Sequence, residues 1–193
     1  MKRFLIVATS VAMLAVPVMA GDIHGKITSK GPRDSSDAVV YIDKVAGKTF
    51  PPSSAHARMD QKNMQFHPHV LPVVIGTTVD FLNSDSVLHN VFSPDSCADR
   101  FNLGTWPQGQ TKNFTFKKQC FAALLCKVHS EMDGFVVALP TSYFAVTSPD
   151  GSYQIKDVPD GTYLLKVWHP TLKAAQKSVV VKGATEVSLA IAK

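Results

Sequence analysis

The sequence contains no apolar run long enough to cross a membrane. Its longest run, Phe4 to Val16, is shorter than the about 20 residues that a spanning helix needs. Two basic residues precede this run, and the small residues Val18 and Ala20 follow it, which is typical of a secretory signal peptide. We therefore expect a signal peptide over residues 1–20, cleavage before Gly21 and a periplasmic location. An uncleaved membrane anchor is the alternative.

A strong charge of either sign is also missing. The full chain has 20 basic and 15 acidic residues, and removal of residues 1–20 leaves 18 basic and 15 acidic side chains, a net charge of +3. The basic residues are spread evenly, without the clusters interleaved with aromatic residues that mark a nucleic-acid surface. We therefore expect no nucleic-acid partner, no membrane insertion and a mild preference for neutral or acidic protein partners.

Signatures of common catalytic sites are missing as well. The sequence has no Ser-His-Asp order, no carboxylate pair and no glycine-rich loop of the kind that binds phosphate. Internal repeats and low-complexity segments are also absent. We therefore expect that the protein is not an enzyme.

No segment after residue 20 shows helical periodicity. Apolar and polar residues instead alternate with the period of two that is typical of half-buried strands, and Gly, Pro, Asn and Asp bound these segments. Two Pro-Asp-Gly segments, 149–151 and 159–161, predict tight turns. The predicted fold class is therefore all-β, with strands over segments that include 78–81, 113–117, 163–168 and 175–181.

The two ends of the chain are predicted to form one domain together. Residues 21–54 supply only two strands, over 23–28 and 38–42, and two strands cannot enclose a core. Residues 143–193 supply about five more, so the ends together predict a seven-strand sandwich. The predicted domains are thus a discontinuous one, 21–54 plus 141–193, and a middle one, 55–140, that is inserted into it or packed beside it.

The flanking segments resemble a carboxypeptidase regulatory-like (transthyretin-like) domain. The matching residues are Ile23-x-Gly25-x-Ile27, the segment 38–41 with the sequence AVVY, and the segment 148–170 with the sequence SPDGSYQIKDVPDGTYLLKVWHP. The resemblance implies a β-sandwich scaffold without peptidase activity.

The segment Cys126-Lys127-Val128-His129-Ser130-Glu131-Met132 contains a thiol, an imidazole and a thioether within seven residues. These donors suit a soft or borderline metal such as copper. Two residues between successive donors allow one tight loop to present all three side chains inward. A second imidazole has to come from another strand, and His89, in the apolar segment VLHNVFS at 87–93, is the candidate.

Together these two segments resemble the cupredoxins, and among them the short-loop amicyanins. The matches are His-Asn-Val at 89–91 and Cys-x-x-His-x-x-Met at 126–132, supported upstream by Phe66-x-Pro68 and Gly76-x-x-Val79-x-Phe81. The resemblance spans most of residues 59–139. It implies a cupredoxin Greek-key β-sandwich for the middle domain.

The resemblance also implies one type I (blue) copper site. His89 and His129 would be its imidazole ligands, Cys126 its thiolate ligand and Met132 its weak axial ligand. Asn90 would hold the thiolate by a backbone hydrogen bond and join the two ligand segments. The implied function is a periplasmic carrier of single electrons between protein redox partners by Cu(I)/Cu(II) cycling. Neither the partners nor the oligomeric state follow from the resemblance.

A copper chaperone or storage protein is the alternative function. Such proteins favour exposed methionine-rich or histidine-rich ligands, whereas only Met59, Met64 and Met132 remain after residue 20. A multicopper oxidase would need several His-x-His pairs, and a binuclear copper centre would need a second cysteine in the ligand loop. Ser130 stands where amicyanin-like loops carry proline, which argues against methylamine dehydrogenase as the partner.

Three cysteines in an exported chain leave one unpaired. Cys97 and Cys120 lie between the two ligand segments, and pairing them leaves Cys126 free as the thiolate. We therefore predict a disulfide between Cys97 and Cys120, with free thiols as the alternative.

One further histidine pair has the spacing of a metal site. His67 and His69 form a His-x-His segment, which would place both on one face of a strand. We expect a surface or packing role for both, with an accessory copper site as the alternative.

Overall fold

The computed structural model describes residues 19–29 and 35–192, so residues 1–18 of the predicted signal peptide lie outside the described residues. The described chain consists of strands with one short 3-10 helix, Ser96–Ala98. The predicted all-β fold class is therefore confirmed. Among the described residues, no helix is long and apolar enough to cross a membrane.

The strands of the described residues vary in length from two to ten residues. In chain order they are β1 (Ala20–Ser29), β2 (Val39–Ile42), β3 (Ala57–Lys62), β4 (Gln65–His67), β5 (Val70–Val74), β6 (Thr78–Asn83), β7 (His89–Phe92), β8 (Asn102–Trp106), β9 (Thr111–Thr115), β10 (Cys120–Leu125), β11 (Asp133–Leu139), β12 (Phe144–Val146), β13 (Ser152–Pro159), β14 (Gly161–Trp168), β15 (Ala175–Val181), β16 (Thr185–Glu186) and β17 (Leu189–Ile191).

The middle of the chain forms a sandwich of two sheets, which we call the central sandwich. One sheet has the strand order β4-β3-β6-β9 and the other β5-β11-β10-β7-β8. The β3/β6 and β5/β11 pairs are parallel and the other neighbours are antiparallel. Strands β6 and β10 bury every second residue, because one face of each sheet covers a core that includes Phe66, Phe81, Trp106, Phe116 and Leu124. This arrangement is consistent with the expected cupredoxin-like β-sandwich.

The two ends of the chain form a second sandwich, which we call the outer sandwich. Its sheets have the orders β13-β1-β16, with β17 also on β1, and β12-β2-β14-β15. They enclose a separate core that includes Ile23, Ile27, Ile42 and Leu165. The described residues contain eight strands here rather than seven, because the chain leaves the sheet between β16 and β17. The domain limits expected from the sequence stay a prediction.

A third apolar cluster joins the two sandwiches, and we call it the seam. It contains Val39 and Tyr41 from the outer sandwich and Val70, Val137 and Leu139 from the central one. At its margin the Trp168 ring stacks on the Phe121 ring, with centroids 5.7 Å apart, and meets the Phe135 ring edge-on. Strand β2 is therefore buried along its whole length, and β11 buries neighbouring residues on both of its faces.

The seam should carry a large part of the stability of the molecule. Replacing the fully buried Leu139 by alanine leaves a cavity there, so we expect the free energy of unfolding to fall by about 2–5 kcal/mol. Leu164→Ala is the matched control, because Leu164 is 41% exposed and the same change should alter stability by less than about 0.5 kcal/mol. Denaturant unfolding measures both, and equal effects of the two changes would contradict this role of the seam.

Candidate metal centre

Two neighbouring strands of the central sandwich position the candidate ligands. Strand β7 begins at His89, and β10 ends at Leu125, the residue before Cys126. The two strands pair through Leu125 and Phe92, which brings the start of β7 beside the loop that follows β10. That loop, 126–132, closes with a hydrogen bond from the Met132 N–H to the His129 carbonyl of 3.2 Å. Strand pairing and a short turn thus bring distant residues together.

The structure brings His89, Cys126 and His129 into one cluster. The Cys126 Sγ lies 4.0 Å from the His89 Nδ1 and 3.9 Å from the His129 Nδ1, and the two Nδ1 atoms are 3.1 Å apart. Three donors bound to one ion at about 2.3 Å for sulfur and about 2.0 Å for nitrogen have mutual separations of about 3–4 Å. The cluster therefore has the dimensions of a site for a single metal ion.

Burial distinguishes the members of this cluster. The His89 and Cys126 side chains are 0% and 4% exposed, whereas the His129 side chain is partly exposed. Met132, the fourth ligand expected from the sequence, is 1% exposed and belongs to the same apolar cluster as Cys126. In the described residues no other group of three His, Cys, Asp or Glu side chains brings its ligand atoms this close together. A thiolate with two imidazoles suits copper or another soft to borderline ion.

Asp85 orients the His89 ring, a contact that was not predicted from the sequence. The Asp85 Oδ2 lies 2.9 Å from the His89 Nε2, and an ionised carboxylate only accepts hydrogen bonds, so Nε2 carries the proton. The Nδ1 atom of the same ring faces Cys126 and His129. A carboxylate in this position is the usual outer partner of a metal-binding histidine.

The Asp85 carboxylate is itself held in place by backbone groups. Burial acts to raise the pKa of Asp85, but hydrogen bonds from the Met64 N–H, from His89 and from the Asn63 N–H outweigh it and lower the pKa. The carboxylate is therefore ionised at neutral pH. Asp85 lies in an irregular loop, where no periodic pattern relates it to His89, so sequence reasoning had no signal with which to find it.

Asn90 links the two ligand segments by three kinds of contact. Its backbone N–H donates to the Cys126 Sγ at 3.4 Å, and its Oδ1 accepts from the Lys127 N–H at 3.2 Å. Its Nδ2 donates to the Asn102 Oδ1 and to the Gly104 carbonyl, both on β8. These contacts join β7, β8 and the loop 126–132, and the role of Asn90 beside a bound metal stays a prediction.

The predicted disulfide between Cys97 and Cys120 is present, which leaves Cys126 as a free, buried thiol in the described residues. It joins the short helix Ser96–Ala98 to the first residue of β10. In the same region the Asp95 Oδ2 accepts from the Ala123 N–H at 2.8 Å. The strand that leads into Cys126 is thus anchored at its beginning and at its middle.

The expectation that His67 and His69 share one strand face is wrong. Strand β4 ends at His67 and β5 begins at Val70, so His69 lies between two strands. The two imidazoles therefore do not follow the alternation of a single strand. Both instead line a crevice beside the end of the ligand loop.

Comparison with known proteins finds similarity only among solved structures. No family model matches the chain, and no curated protein matches it. A purple cupredoxin from Nitrosopumilus maritimus is 25% identical, with a TM-score of 0.39, over 42% of this chain and 98% of its own. A reduced amicyanin variant is 21% identical, with a TM-score of 0.41, over 51% of this chain and 97% of its own.

The similar structures also include that of an enzyme. A copper-containing nitrite reductase from Thermus scotoductus is 21% identical, with a TM-score of 0.42, over 58% of this chain but only 28% of its own. All of these TM-scores are below 0.5, so the function of the present chain has to be inferred from its own residues.

The contact between Asp85 and His89 should govern metal affinity. Asp85→Asn keeps the side-chain volume but removes the charge and one acceptor oxygen, so we expect the affinity for copper to fall about 10-fold to 100-fold. Competition with a chelator of known affinity measures this change. Asp99→Asn is the control, because Asp99 is an exposed carboxylate paired with Lys118. Equal affinities of the Asp85 variant and the unmodified protein would show that the contact does not orient the ligand.

Proposed function

We propose that this protein is a periplasmic type I copper protein that carries single electrons between protein redox partners. The observation that carries this proposal is the compact cluster of His89, Cys126 and His129. The proposed ligands are these three residues and Met132, which would occupy the weak axial position. A bound copper ion supplies a one-electron Cu(I)/Cu(II) couple.

The rigidity of the donor set supports electron transfer. Asp85 orients the His89 ring, and Asn90 donates to the Cys126 sulfur while it also binds the backbone of Lys127. Each contact restrains a donor before any metal binds, so the donor positions depend little on the charge that they enclose. A site that keeps one arrangement in two oxidation states suits the transfer of a single electron.

Burial of the donors favours an electron carrier over the alternative copper chaperone or storage protein. Metal delivery needs donors that an acceptor protein can reach, whereas His89 and Cys126 are almost fully buried. Met59 and Met132 are also buried, at 0% and 1% exposure. We therefore expect a bound metal ion to exchange slowly. We also propose that the protein has no enzymatic activity of its own.

The surface around His129 supports docking of a protein partner. Val87 and Leu88, just before His89, are 41% and 51% exposed, and Val128, just before His129, is 45% exposed. Exposed apolar side chains on both ligand segments form a surface that a partner can desolvate, with the partly exposed His129 between them. Lys127 adds one cation, which lies over the Phe92 ring at 5.3 Å. We propose protein redox partners that present a complementary apolar surface.

The outer sandwich is proposed to be a carboxypeptidase regulatory-like scaffold around the copper domain. Its own core unites residues from both ends of the chain, which supports the proposed limits, 21–54 plus 141–193 around 55–140. Together with the signal peptide expected at the N-terminus, this describes an exported protein in which the redox domain is held against a second sandwich.

The visible spectrum of the mature protein with Cu(II) tests the proposed site. We expect an intense blue thiolate-to-copper band that a reductant bleaches reversibly, because the Cys126 thiolate would be a direct ligand. Cys126→Ser should abolish the band. Met59→Leu is the control, since it removes another buried sulfur without a large change in volume and should keep the colour. A protein that binds copper without colour would favour the storage alternative.

Electron exchange between copies of the protein tests the docking surface without an identified partner. Leu88→Glu would place like charges opposite each other when two copies meet, which costs energy and should slow self-exchange about tenfold or more. NMR line broadening in mixtures of reduced and oxidised protein measures the rate. Val180→Glu is the matched control, because Val180 is 67% exposed on the outer sandwich. A rate that both changes lower equally would place electron transfer elsewhere.

A further inference from the structure

A second cluster of metal-binding side chains lies on the other side of the ligand loop. It surrounds a crevice of about 370 Å³ between the outer sandwich and the end of that loop. Two imidazoles and three carboxylates line this crevice, namely those of His67, His69, Asp37, Glu131 and Asp133. The proposed electron-transfer site uses none of them, and they come from three separate segments of the chain.

His69 is held at this crevice in an orientation typical of a metal ligand. Its Nδ1 lies 2.7 Å from the Asp37 Oδ2, and a carboxylate only accepts, so Nδ1 donates the hydrogen bond. The Nε2 atom then faces the opposite way, toward Asp133. A carboxylate on the far nitrogen is the usual outer partner of a metal-bound imidazole, where it sets the tautomer and the ring orientation.

The free nitrogen of His69 faces a second carboxylate. The His69 Nε2 and the Asp133 Oδ2 are 3.5 Å apart, which is longer than the 2.7–3.2 Å of ordinary N–H···O hydrogen bonds. Two nitrogen and oxygen donors on one tetrahedral ion, with bonds of about 2.1 Å, lie about 3.4 Å apart. Two such atoms attract each other only through a cation between them, either a proton on Nε2 or a metal ion. The observed separation has the size that one shared metal ion requires.

We propose that this crevice binds one divalent cation of the zinc type through the His69 Nε2 and the Asp133 carboxylate. Imidazole with carboxylate suits borderline divalent ions, of which Zn²⁺ is the probe of choice because it has no redox chemistry. His67 and Glu131 lie exposed at the rim of the same crevice, and their side chains would have to rotate to join the ion, with water completing its coordination. Asp37 is the outer carboxylate that orients His69.

Such an ion would connect the outer sandwich to the metal-ligand loop. Asp37 belongs to the segment just before β2, whereas Asp133 follows Met132 directly. The His69 ring also meets the Phe135 ring edge-on, and Phe135 in turn contacts Trp168 at the seam. The cation would therefore join the seam and the end of the ligand loop at one point. This inference does not depend on whether the cluster around Cys126 binds copper.

Calorimetric titration of the mature protein with Zn²⁺ alone tests the proposal. Unmodified protein should bind two equivalents, one at the cluster around Cys126 and one at the crevice. His69→Ala should lose one equivalent, and Asp37→Asn should weaken that same binding event about 10-fold to 100-fold. Cys126→Ser should weaken the other event and leave the crevice unchanged, so failure of the two sites can be told apart.

The matched control is His56→Ala. His56 also pairs with a carboxylate through Nδ1, at 2.9 Å from the Asp80 Oδ1, but in the described part of the chain no carboxylate pairs with its Nε2. This variant should bind Zn²⁺ as the unmodified protein does. If His69→Ala is too unstable to measure, Asp133→Asn removes the second ligand from an exposed position. Unchanged stoichiometry in both variants, or equal losses with His56→Ala, would overturn the proposal and leave a simple ion pair.

Discussion

The pairing of β7 with β10 is the constraint on which the candidate site depends. It occurs at one residue pair, Leu125 and Phe92, and its antiparallel direction brings His89, at the start of β7, beside the loop that follows Leu125. Pairing alone brings the backbones together, but the hydrogen bonds of Asn90 determine how the two segments are aligned. Without these hydrogen bonds, strand pairing alone would not determine the relative positions of the thiol and the two imidazoles. The disulfide at the start of β10 and the Asp95 contact to Ala123 restrain the same strand further along.

The sheet that contains this strand pair also contacts the outer sandwich. Its sheet β5-β11-β10-β7-β8 holds the donors on one strand pair, and the next strand, β11, is covered by the seam. The outer sandwich therefore contacts the same sheet that carries the ligand loop, through Tyr41, Trp168 and their aromatic neighbours. The outer sandwich packed there limits the motion of β10 and β11, the two strands that the ligand loop connects.

More of the candidate site than of the surrounding fold could be predicted from the sequence. Cys126, His129 and Met132 lie in one short loop, so their spacing alone indicated a common site, and the odd number of cysteines indicated the Cys97–Cys120 disulfide. Alternation likewise predicted the buried face of β6, which includes Val79 and Phe81. The contact between Asp85 and His89 had no signal, because it crosses an irregular loop whose geometry depends on backbone groups of Asn63 and Met64.

The seam and the crevice were beyond sequence reasoning for a related reason. A strand that is buried on both faces has a continuous apolar sequence, which does not indicate what covers each face. The contact between β2 and β11 through Tyr41, Val137 and Leu139 therefore could not be predicted. The crevice unites Asp37, His69 and Asp133 from segments whose relative position depends on the packing of two sandwiches. The His-x-His spacing drew attention to His69 but not to Asp37 or Asp133, which contact its ring from distant segments of the chain.

X-ray absorption at the copper edge, on the copper-loaded mature protein in both oxidation states, tests the central claim most directly. The account predicts one short copper–sulfur bond and two copper–nitrogen bonds in each state, with bond lengths that change little between them, because the protein holds the donors in place. A coordination sphere without a short sulfur bond, or one that gains or loses ligands on oxidation, would contradict a rigid electron-transfer site.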